Sequence, residues 1–84
     1  NGPTIMTLAD TALYAAVLSR IGLEPLAVTS DLTFRFLRKP QPRPLVAEAE
    51  ILKLGRRLAV GEVRIRSEGA PALVAHATGT YALP

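Results

Sequence analysis

The segment from Thr4 to Ser19 constrains the fold of this chain more than any other part of the sequence. Its residues are almost all apolar or small, and it contains no Lys, Arg or His. This composition predicts a helix that is buried on nearly all sides. One carboxylate, Asp10, interrupts it, and a buried carboxylate is costly unless it is paired, hydrogen-bonded or protonated. Either a distant part of the fold pairs with Asp10, or Asp10 takes part in the chemistry of a functional site. We favour the second interpretation, because perturbed carboxylates cluster at functional sites.

Start and stop signals flank this segment. Asn1 or Gly2 suits the N-cap position of a helix. At the other end, Arg20 suits the negative helix terminus, Gly22 supplies a stop and Pro25 prevents continuation. We therefore expect one helix from the start of the chain to about Arg20.

The rest of the chain alternates between apolar and polar residues, as strands do when one face is buried. The alternation predicts strands over residues 28–36, 45–54, 58–66 and 72–82. Mostly short turns join them, which favours an antiparallel meander, although the basic, proline-rich link Arg38–Pro44 cannot be a regular strand. The residues predicted to face inward are Val28, Leu32, Phe34 and Phe36, then Leu45, Ala47, Ala49 and Ile51, then Ala59, Gly61, Val63 and Ile65, and finally Leu73, Ala75, Ala77 and Gly79.

Small side chains dominate the middle of these inward faces, and they allow a thick element to approach the sheet closely. An antiparallel sheet wrapped around one long central helix explains both the small faces and the apolar helix. The sequence therefore predicts an α+β fold of this kind, in a single domain over residues 1–84. Because the first residues already form a helix entry, we expect an upstream portion of the domain to be missing from this chain.

The composition limits the classes of protein to which this chain can belong. The chain has 84 residues, of which 49% are hydrophobic, and we expect self-association to cover the excess apolar surface. It has no Cys and one His, which excludes a disulfide and argues against a metal site made by the protein alone. We expect a cytoplasmic protein without a membrane span, since no secretory signal is visible and Asp10 lies mid-helix. The net charge of +3 indicates either an anionic partner or ordinary solubilising charge.

Four motifs, in order and spacing, carry a resemblance to a known family. Gly2–Ala12, with Leu-Ala-Asp-Thr-Ala at its end, looks like the helix motif of the PaaI-type acyl-CoA thioesterases, which have the hotdog fold. Thr29–Arg38, Leu54–Arg57 and Ala75–Tyr81 resemble a Thr-x-Asp-Leu strand, the central hairpin and the closing strand of that family. Two features depart from the pattern: the family's further N-terminal strand is absent, and its usual His-Gly-Gly before the helix reads Asn1-Gly2-Pro3.

The resemblance implies hydrolysis of an acyl-CoA thioester to a free acid and CoA. Asp10 is then the nucleophile or the general base for water. Backbone N–H groups near Gly2 stabilise the oxyanion, and Asn1 lies beside the substrate carbonyl. No cofactor is implied, because CoA is part of the substrate.

The spacing of Gly2 and Asp10 adds a constraint of its own. Asp10 is eight positions after Gly2, which is about 12 Å along a helix. Hydrogen bonding to one carbonyl requires about 3 Å, so one chain cannot supply both groups. Two antiparallel helices across a two-fold axis can. We predict an obligate homodimer with composite sites, and the sequence leaves open whether dimers pair into a homotetramer.

Further candidates surround the predicted site. The phosphates of CoA require cations, and Arg38, Lys39, Arg56 and Arg57 occupy turns where they could bind them or simply be solvated. Tyr14, one helical turn after Asp10, either belongs to the core or functions at the site, where it lines the acyl pocket or hydrogen-bonds the carboxylate.

Other side chains are expected to be structural. We expect Thr7 and Thr11 to take part in helix packing and Asp31 to form a cap or a pair within the sheet. We expect His76 to lie on the surface of the sheet.

Three alternatives remain beside the thioesterase. A hotdog hydratase or dehydratase usually carries a His in or near the helix, and here no His precedes His76. A non-catalytic module that binds acyl-CoA would leave Asp10 as a structural polar group. Nucleic-acid binding is disfavoured, because an RNA-binding sheet displays aromatic side chains and this chain has only two Phe and two Tyr.

Overall fold

The computed structural model describes residues 2–22 and 28–83, with the backbone alone for residues 2 and 3. The elements in chain order are helix α1 (Gly2–Ile21) and strands β1 (Val28–Phe36), β2 (Leu45–Leu54), β3 (Leu58–Ser67) and β4 (Leu73–Ala82). The predicted elements are confirmed, and Pro25 lies outside the described residues. Within the described ranges, no helix has the length and hydropathy that crossing a bilayer requires.

Helix α1 ends where the sequence predicted. The N–H of Gly22 donates to the carbonyl oxygen of Leu18 at 2.9 Å, and Gly22 has a φ of 84°. This left-handed conformation is strained for residues with a Cβ atom, so glycine suits the helix end.

The four strands form one antiparallel sheet in the order β1-β4-β3-β2. Strands β2, β3 and β4 form the predicted meander, but β1 pairs with β4 and not with β2. The prediction of a simple meander is therefore wrong for β1. The link between β1 and β2 is long enough to pass the ends of β4 and β3, a width of about 14 Å for three strand spacings.

Hydrogen bonds tie this link to the turn between β3 and β4. The Gln41 N–H donates to the hydroxyl of the buried Ser67 at 3.0 Å. Arg43 Nη1 donates to the Glu68 carbonyl oxygen at 3.2 Å, and the Glu68 N–H donates to the Pro44 carbonyl oxygen at 2.8 Å. The crossover is thus an ordered part of the sheet end.

Helix α1 packs on one face of the sheet. Its buried residues recur every fourth position, at Ile5, Ala9, Leu13 and Val17. Its opposite side is exposed at Thr4, Thr7, Thr11 and Ala15. Burial on nearly all sides is therefore wrong for the single chain, because four strands cover only one side of a helix.

Two glycines make the closest approach of helix and sheet possible. Gly61 of β3 and Gly79 of β4 are direct register partners. A Cβ atom on Gly61 would lie 2.5 Å from Leu13 Cδ1, and one on Gly79 would lie 2.8 Å from Leu13 Cδ2. The isobutyl group of Leu13 therefore fills the space that two missing side chains leave.

β-Bulges correct the inward faces predicted for β1 and β4. A register shift between Thr29 and Asp31 adds a residue to β1, so the side-chain alternation reverses there. Val28, predicted to face inward, is 63% exposed. Phe36, at the end of β1, is also exposed, and in β4 it is Val74 and not Leu73 that is buried, next to a second register shift.

Candidate active site

Asp10 lies near the middle of α1, half-buried where the helix meets the sheet. Two hydroxyl groups donate to its carboxylate oxygen Oδ1: Tyr81 Oη at 2.8 Å and Thr29 Oγ1 at 3.4 Å. Tyr81 Oη also lies 3.2 Å from the backbone carbonyl oxygen of Asp10. Within residues 2–22 and 28–83, no hydrogen bond reaches Oδ2. A distant part of the fold thus contacts Asp10 through neutral hydroxyl groups. These groups donate to Oδ1 and leave Oδ2 without a hydrogen bond from them.

The sheet brings these two donors together. Thr29 and Tyr81 are register partners on β1 and β4. The bulge after Thr29 places its side chain on the helix side of the sheet, whereas uninterrupted alternation from Leu32 would place it on the outer side. The local irregularity in β1 therefore gives Asp10 its second donor.

The sequence analysis missed both donors of this site, Thr29 and, above all, Tyr81. Tyr81 is fully buried, and its ring centroid lies 5.9 Å from that of Tyr14, at an interplanar angle of 38°. Burial raises the pKa of Tyr81, and the hydrogen bond to Asp10 raises it further. Tyr81 is therefore a neutral phenol that donates to the carboxylate. The signal was present in the sequence, because Tyr81 continues the inward alternation of Ala75, Ala77 and Gly79.

Tyr14 is half-buried and packs against the core. The tyrosine that bonds the carboxylate comes from β4, and Tyr14 contacts the ring of that residue. Its role in lining an acyl pocket stays a prediction.

The four cationic candidates lie at opposite ends of the sheet. Arg56 and Arg57 occupy the β2–β3 turn, and the Arg57 carbonyl oxygen accepts from the N–H of Leu83, two residues beyond Tyr81. Both arginines line a cleft of about 860 Å³ together with Leu58, Ala82 and Leu83.

Arg38 and Lys39 follow the other end of β1, where Arg38 Nε donates to the Leu73 carbonyl oxygen at 2.7 Å. The length of β1 separates them from Thr29, about 25 Å for a nine-residue strand. Of these four candidates, Arg56 and Arg57 share a sheet end with Tyr81 and Thr29, the hydrogen-bond donors to Asp10.

The exposed side of α1 carries a groove of about 490 Å³. It is lined by Thr4, Thr7, Leu8 and Thr11, which form one stripe along the helix. Asp10 borders this stripe, since Thr7 lies one turn before it and Thr11 directly after it. Helix α1 begins at Gly2, and Asn1 lies outside the described residues.

The outer face of the sheet carries a separate network of charges. Arg64 pairs with Glu62 and Glu50, and His76 Nε2 lies 3.9 Å from Glu62 Oε2. Asp31 is exposed in β1, opposite Thr80. Among the described residues, no group of three His, Cys, Asp or Glu side chains is placed to hold a metal ion.

The family model that matches this chain is that of the thioesterase superfamily, over residues 1–73. The chain belongs to the thioesterase superfamily. Its helix on a four-stranded antiparallel sheet is the hotdog fold that the sequence motifs implied, of the PaaI type. Among curated proteins, no significant match was found.

Solved structures agree with this assignment to the thioesterase superfamily. A candidate thioesterase from a Silicibacter species is 48% identical, with a TM-score of 0.95, and the match covers 100% of this chain and 59% of that one. A mutant form of the phenylacetic acid degradation protein PaaI from Thermus thermophilus is 31% identical, with a TM-score of 0.81 over 100% and 69% of the two chains. A Bacillus halodurans protein, solved with CoA, is 29% identical, with a TM-score of 0.84 over 100% and 56%.

The chain spans about three fifths of the length of the first of these thioesterase-like relatives. The comparisons therefore establish the superfamily and the fold of residues 2–22 and 28–83.

Proposed function

We propose that this protein hydrolyses the thioester bond of an acyl-CoA, and that Asp10 is the reacting carboxylate. The observation that carries the proposal is the asymmetry of that carboxylate. Oδ1 accepts hydrogen bonds from Tyr81 and Thr29, whereas no described residue bonds Oδ2. A half-buried carboxylate that is fixed through one oxygen and open at the other suits a base or a nucleophile.

Either role uses the open oxygen. As a general base, Oδ2 takes a proton from water while the water oxygen attacks the thioester carbonyl carbon; the C–S bond then breaks and the CoA thiolate receives the proton. As a nucleophile, Oδ2 attacks that carbon itself and expels the thiolate, which forms an anhydride that water opens. Neither route requires a cofactor.

The developing oxyanion requires hydrogen-bond donors. The N-terminal N–H groups of α1 suit that role, because the first turn of a helix leaves them without intrahelical partners. In one continuous helix, Gly2 and Asp10 are about 12 Å apart. The proposal therefore includes a homodimer in which Gly2 of one chain faces Asp10 of the other, and the exposed side of α1 supports such pairing.

The anionic part of CoA then lies near Arg56 and Arg57. The supporting observation is that these arginines share a sheet end with Tyr81 and Thr29, the partners of Asp10. Arg38 and Lys39 lie about 25 Å away along β1, so they serve the same site only if a second chain brings them there. A CoA-containing relative is consistent with this class of substrate.

The test is a panel of acyl-CoA substrates of different chain length and polarity, with release of free CoA as the readout. We expect turnover by the wild-type protein and a loss of at least about 100-fold in kcat for Asp10→Asn. Size-exclusion chromatography with light scattering checks that the variant keeps its oligomeric state. Binding of acyl-CoA without turnover in the wild-type protein would contradict the proposal and favour a binding module.

A single turnover in ¹⁸O-labelled water separates the two roles of Asp10. Label in Asp10 identifies a nucleophilic carboxylate whose anhydride water opens at the aspartyl carbon, whereas a general base leaves Asp10 unlabelled. If water opens the anhydride at the acyl carbon instead, Asp10 also stays unlabelled, and trapping of the aspartyl anhydride with hydroxylamine then distinguishes the nucleophile from the base. Mass spectrometry of the peptide that contains Asp10 reads the result.

A further inference from the structure

We infer that Tyr81 is the positioning residue of the active site: its hydroxyl holds Oδ1 of Asp10 so that Oδ2 faces the thioester. This inference rests on the proposed function, because it assigns a role to the group that orients the proposed reacting carboxylate. Tyr81 itself lies behind Asp10 on β4, on the sheet side of α1, and touches the substrate in no step.

The geometry selects Tyr81 over the other donor. Its hydroxyl lies 2.8 Å from Oδ1, a normal length for a hydrogen bond to a carboxylate, whereas the Thr29 hydroxyl lies at 3.4 Å. Tyr81 Oη is also 3.2 Å from the backbone carbonyl oxygen of Asp10. A phenol has one proton to donate, and the shorter, charge-assisted contact to the carboxylate takes it.

The surroundings hold the phenol itself in place. Tyr81 is fully buried in the hydrophobic core, and the Tyr14 ring packs against it at a centroid distance of 5.9 Å. Burial, and then the hydrogen bond to Asp10, raise the pKa of Tyr81, which favours the neutral phenol that donates the hydrogen bond. The side chain of Asp10, by contrast, is half-exposed on a helix. Without the phenol it can rotate, and Thr29 alone holds it weakly.

A rotated carboxylate still allows the substrate to bind but seldom presents an oxygen to the carbonyl carbon or to the attacking water. A misplacement of about 1 Å costs about 100-fold in rate. The inference therefore predicts a loss in kcat and little change in KM.

The experiment compares Tyr81→Phe with the wild-type protein and with Thr80→Val. Tyr81→Phe removes only the hydroxyl and keeps the ring against Tyr14. Thr80→Val is the matched control, because it removes one hydroxyl from the neighbouring residue, on the outer face of the same strand. We expect Tyr81→Phe to lower kcat by about 10- to 100-fold with KM within about twofold, and Thr80→Val to leave both constants unchanged.

A second readout does not depend on turnover. Three-bond NMR couplings of the Asp10 Cβ protons report its side-chain rotamer, and we expect one rotamer in the wild-type protein and in Thr80→Val but averaged couplings in Tyr81→Phe. If Tyr81→Phe is too unstable to study, Thr29→Val, which removes the weaker donor, is expected to lower kcat by less than about tenfold.

The outcomes separate this inference from the proposed function. A fixed Asp10 rotamer in Tyr81→Phe, or an unchanged kcat beside a mobile Asp10, overturns the positioning role and leaves the thioesterase proposal intact. Turnover that survives in Asp10→Asn overturns the assignment of Asp10 as the reacting carboxylate, and an absence of turnover in the wild-type protein overturns the thioesterase proposal itself, whatever the couplings show. A fall in kcat together with averaged couplings supports the inference.

Discussion

At the scale of single residues, the contact between Tyr81 and Asp10 shows how surroundings change a side chain. A tyrosine in water ionises near pH 10.0, but burial first, and then the hydrogen bond to Asp10, raise the pKa of Tyr81 above that value. In the folded protein the neutral phenol is the favoured form. The phenolate is far less costly in the unfolded chain, where water solvates it.

This difference predicts how stability depends on pH. Because the folded pKa is the higher one, the unfolded state loses its proton first as the pH rises, and the free energy of unfolding falls above about pH 10. One group contributes a slope of at most about 1.4 kcal/mol per pH unit. Denaturant unfolding of the wild-type protein and of Tyr81→Phe between about pH 8 and about pH 11 should give a shallower decline for the variant. Parallel declines would contradict the assignment of this pH dependence to Tyr81.

At the scale of elements, the packing of Leu13 against Gly61 of β3 and Gly79 of β4 sets the distance between helix and sheet. A Cβ atom on Gly61 would meet Leu13 Cδ1 at 2.5 Å and the Glu50 carbonyl oxygen at 2.9 Å. The first contact involves a flexible side chain, but the second involves the backbone of β2, which cannot move without disturbing the ladder. The distance of α1, and therefore of Asp10, from the sheet depends on this packing of Leu13.

Gly61→Ala is therefore expected to destabilise the protein by about 1–3 kcal/mol through overpacking. Gly55→Ala is the matched control, since a Cβ atom there has its nearest neighbour, the Leu58 carbonyl oxygen, at an ordinary 3.5 Å. We expect the control to change stability by less than about 0.5 kcal/mol. Denaturant-induced unfolding measures the stability of both variants. Equal effects of the two substitutions would show that Leu13 is not closely packed against Gly61.

At the scale of the whole molecule, the distribution of charge distinguishes the two pairs of cationic residues. Replacement of Arg56 and Arg57 together by Gln is expected to raise KM for acyl-CoA by about tenfold, because two cations at the Asp10 end of the sheet are lost. Replacement of Arg20 and Arg35 by Gln removes the same charge elsewhere and serves as the control. A larger rise in KM from the Arg38 and Lys39 pair would instead indicate that a second chain supplies the phosphate contacts.

The composite site allows a test by subunit complementation. Asp10→Asn removes the carboxylate, and Gly2→Pro removes an N–H at a helix start that tolerates proline. Each variant alone should be inactive. After unfolding and refolding as a mixture, about half of the dimers carry both variants, and each of these has one intact site, so about a quarter of the wild-type activity should return. Mixtures that stay inactive would contradict a site built from two chains.

The sequence by itself determined the elements of this protein and their inward faces over most of their length. Apolar content predicted α1, alternation predicted the four strands, and small inward residues such as Gly61 and Ala77 predicted a close helix. These signals are local or depend on a period of two or four residues, so they can be read along the chain. The importance of Asp10 could also be read, because a lone carboxylate stands out in an apolar segment.

Only the tertiary structure decided which groups meet Asp10. Tyr81 lies 71 residues away, and its contact depends on the pairing of β1 with β4, which no local pattern encodes. A bulge in β1 places the Thr29 hydroxyl near Oδ1 of Asp10 and exposes Val28, because one inserted residue reverses the alternation of side chains. Strand order is settled by the packing of the whole sheet on α1, and its energy is spread over contacts between residues far apart in the chain.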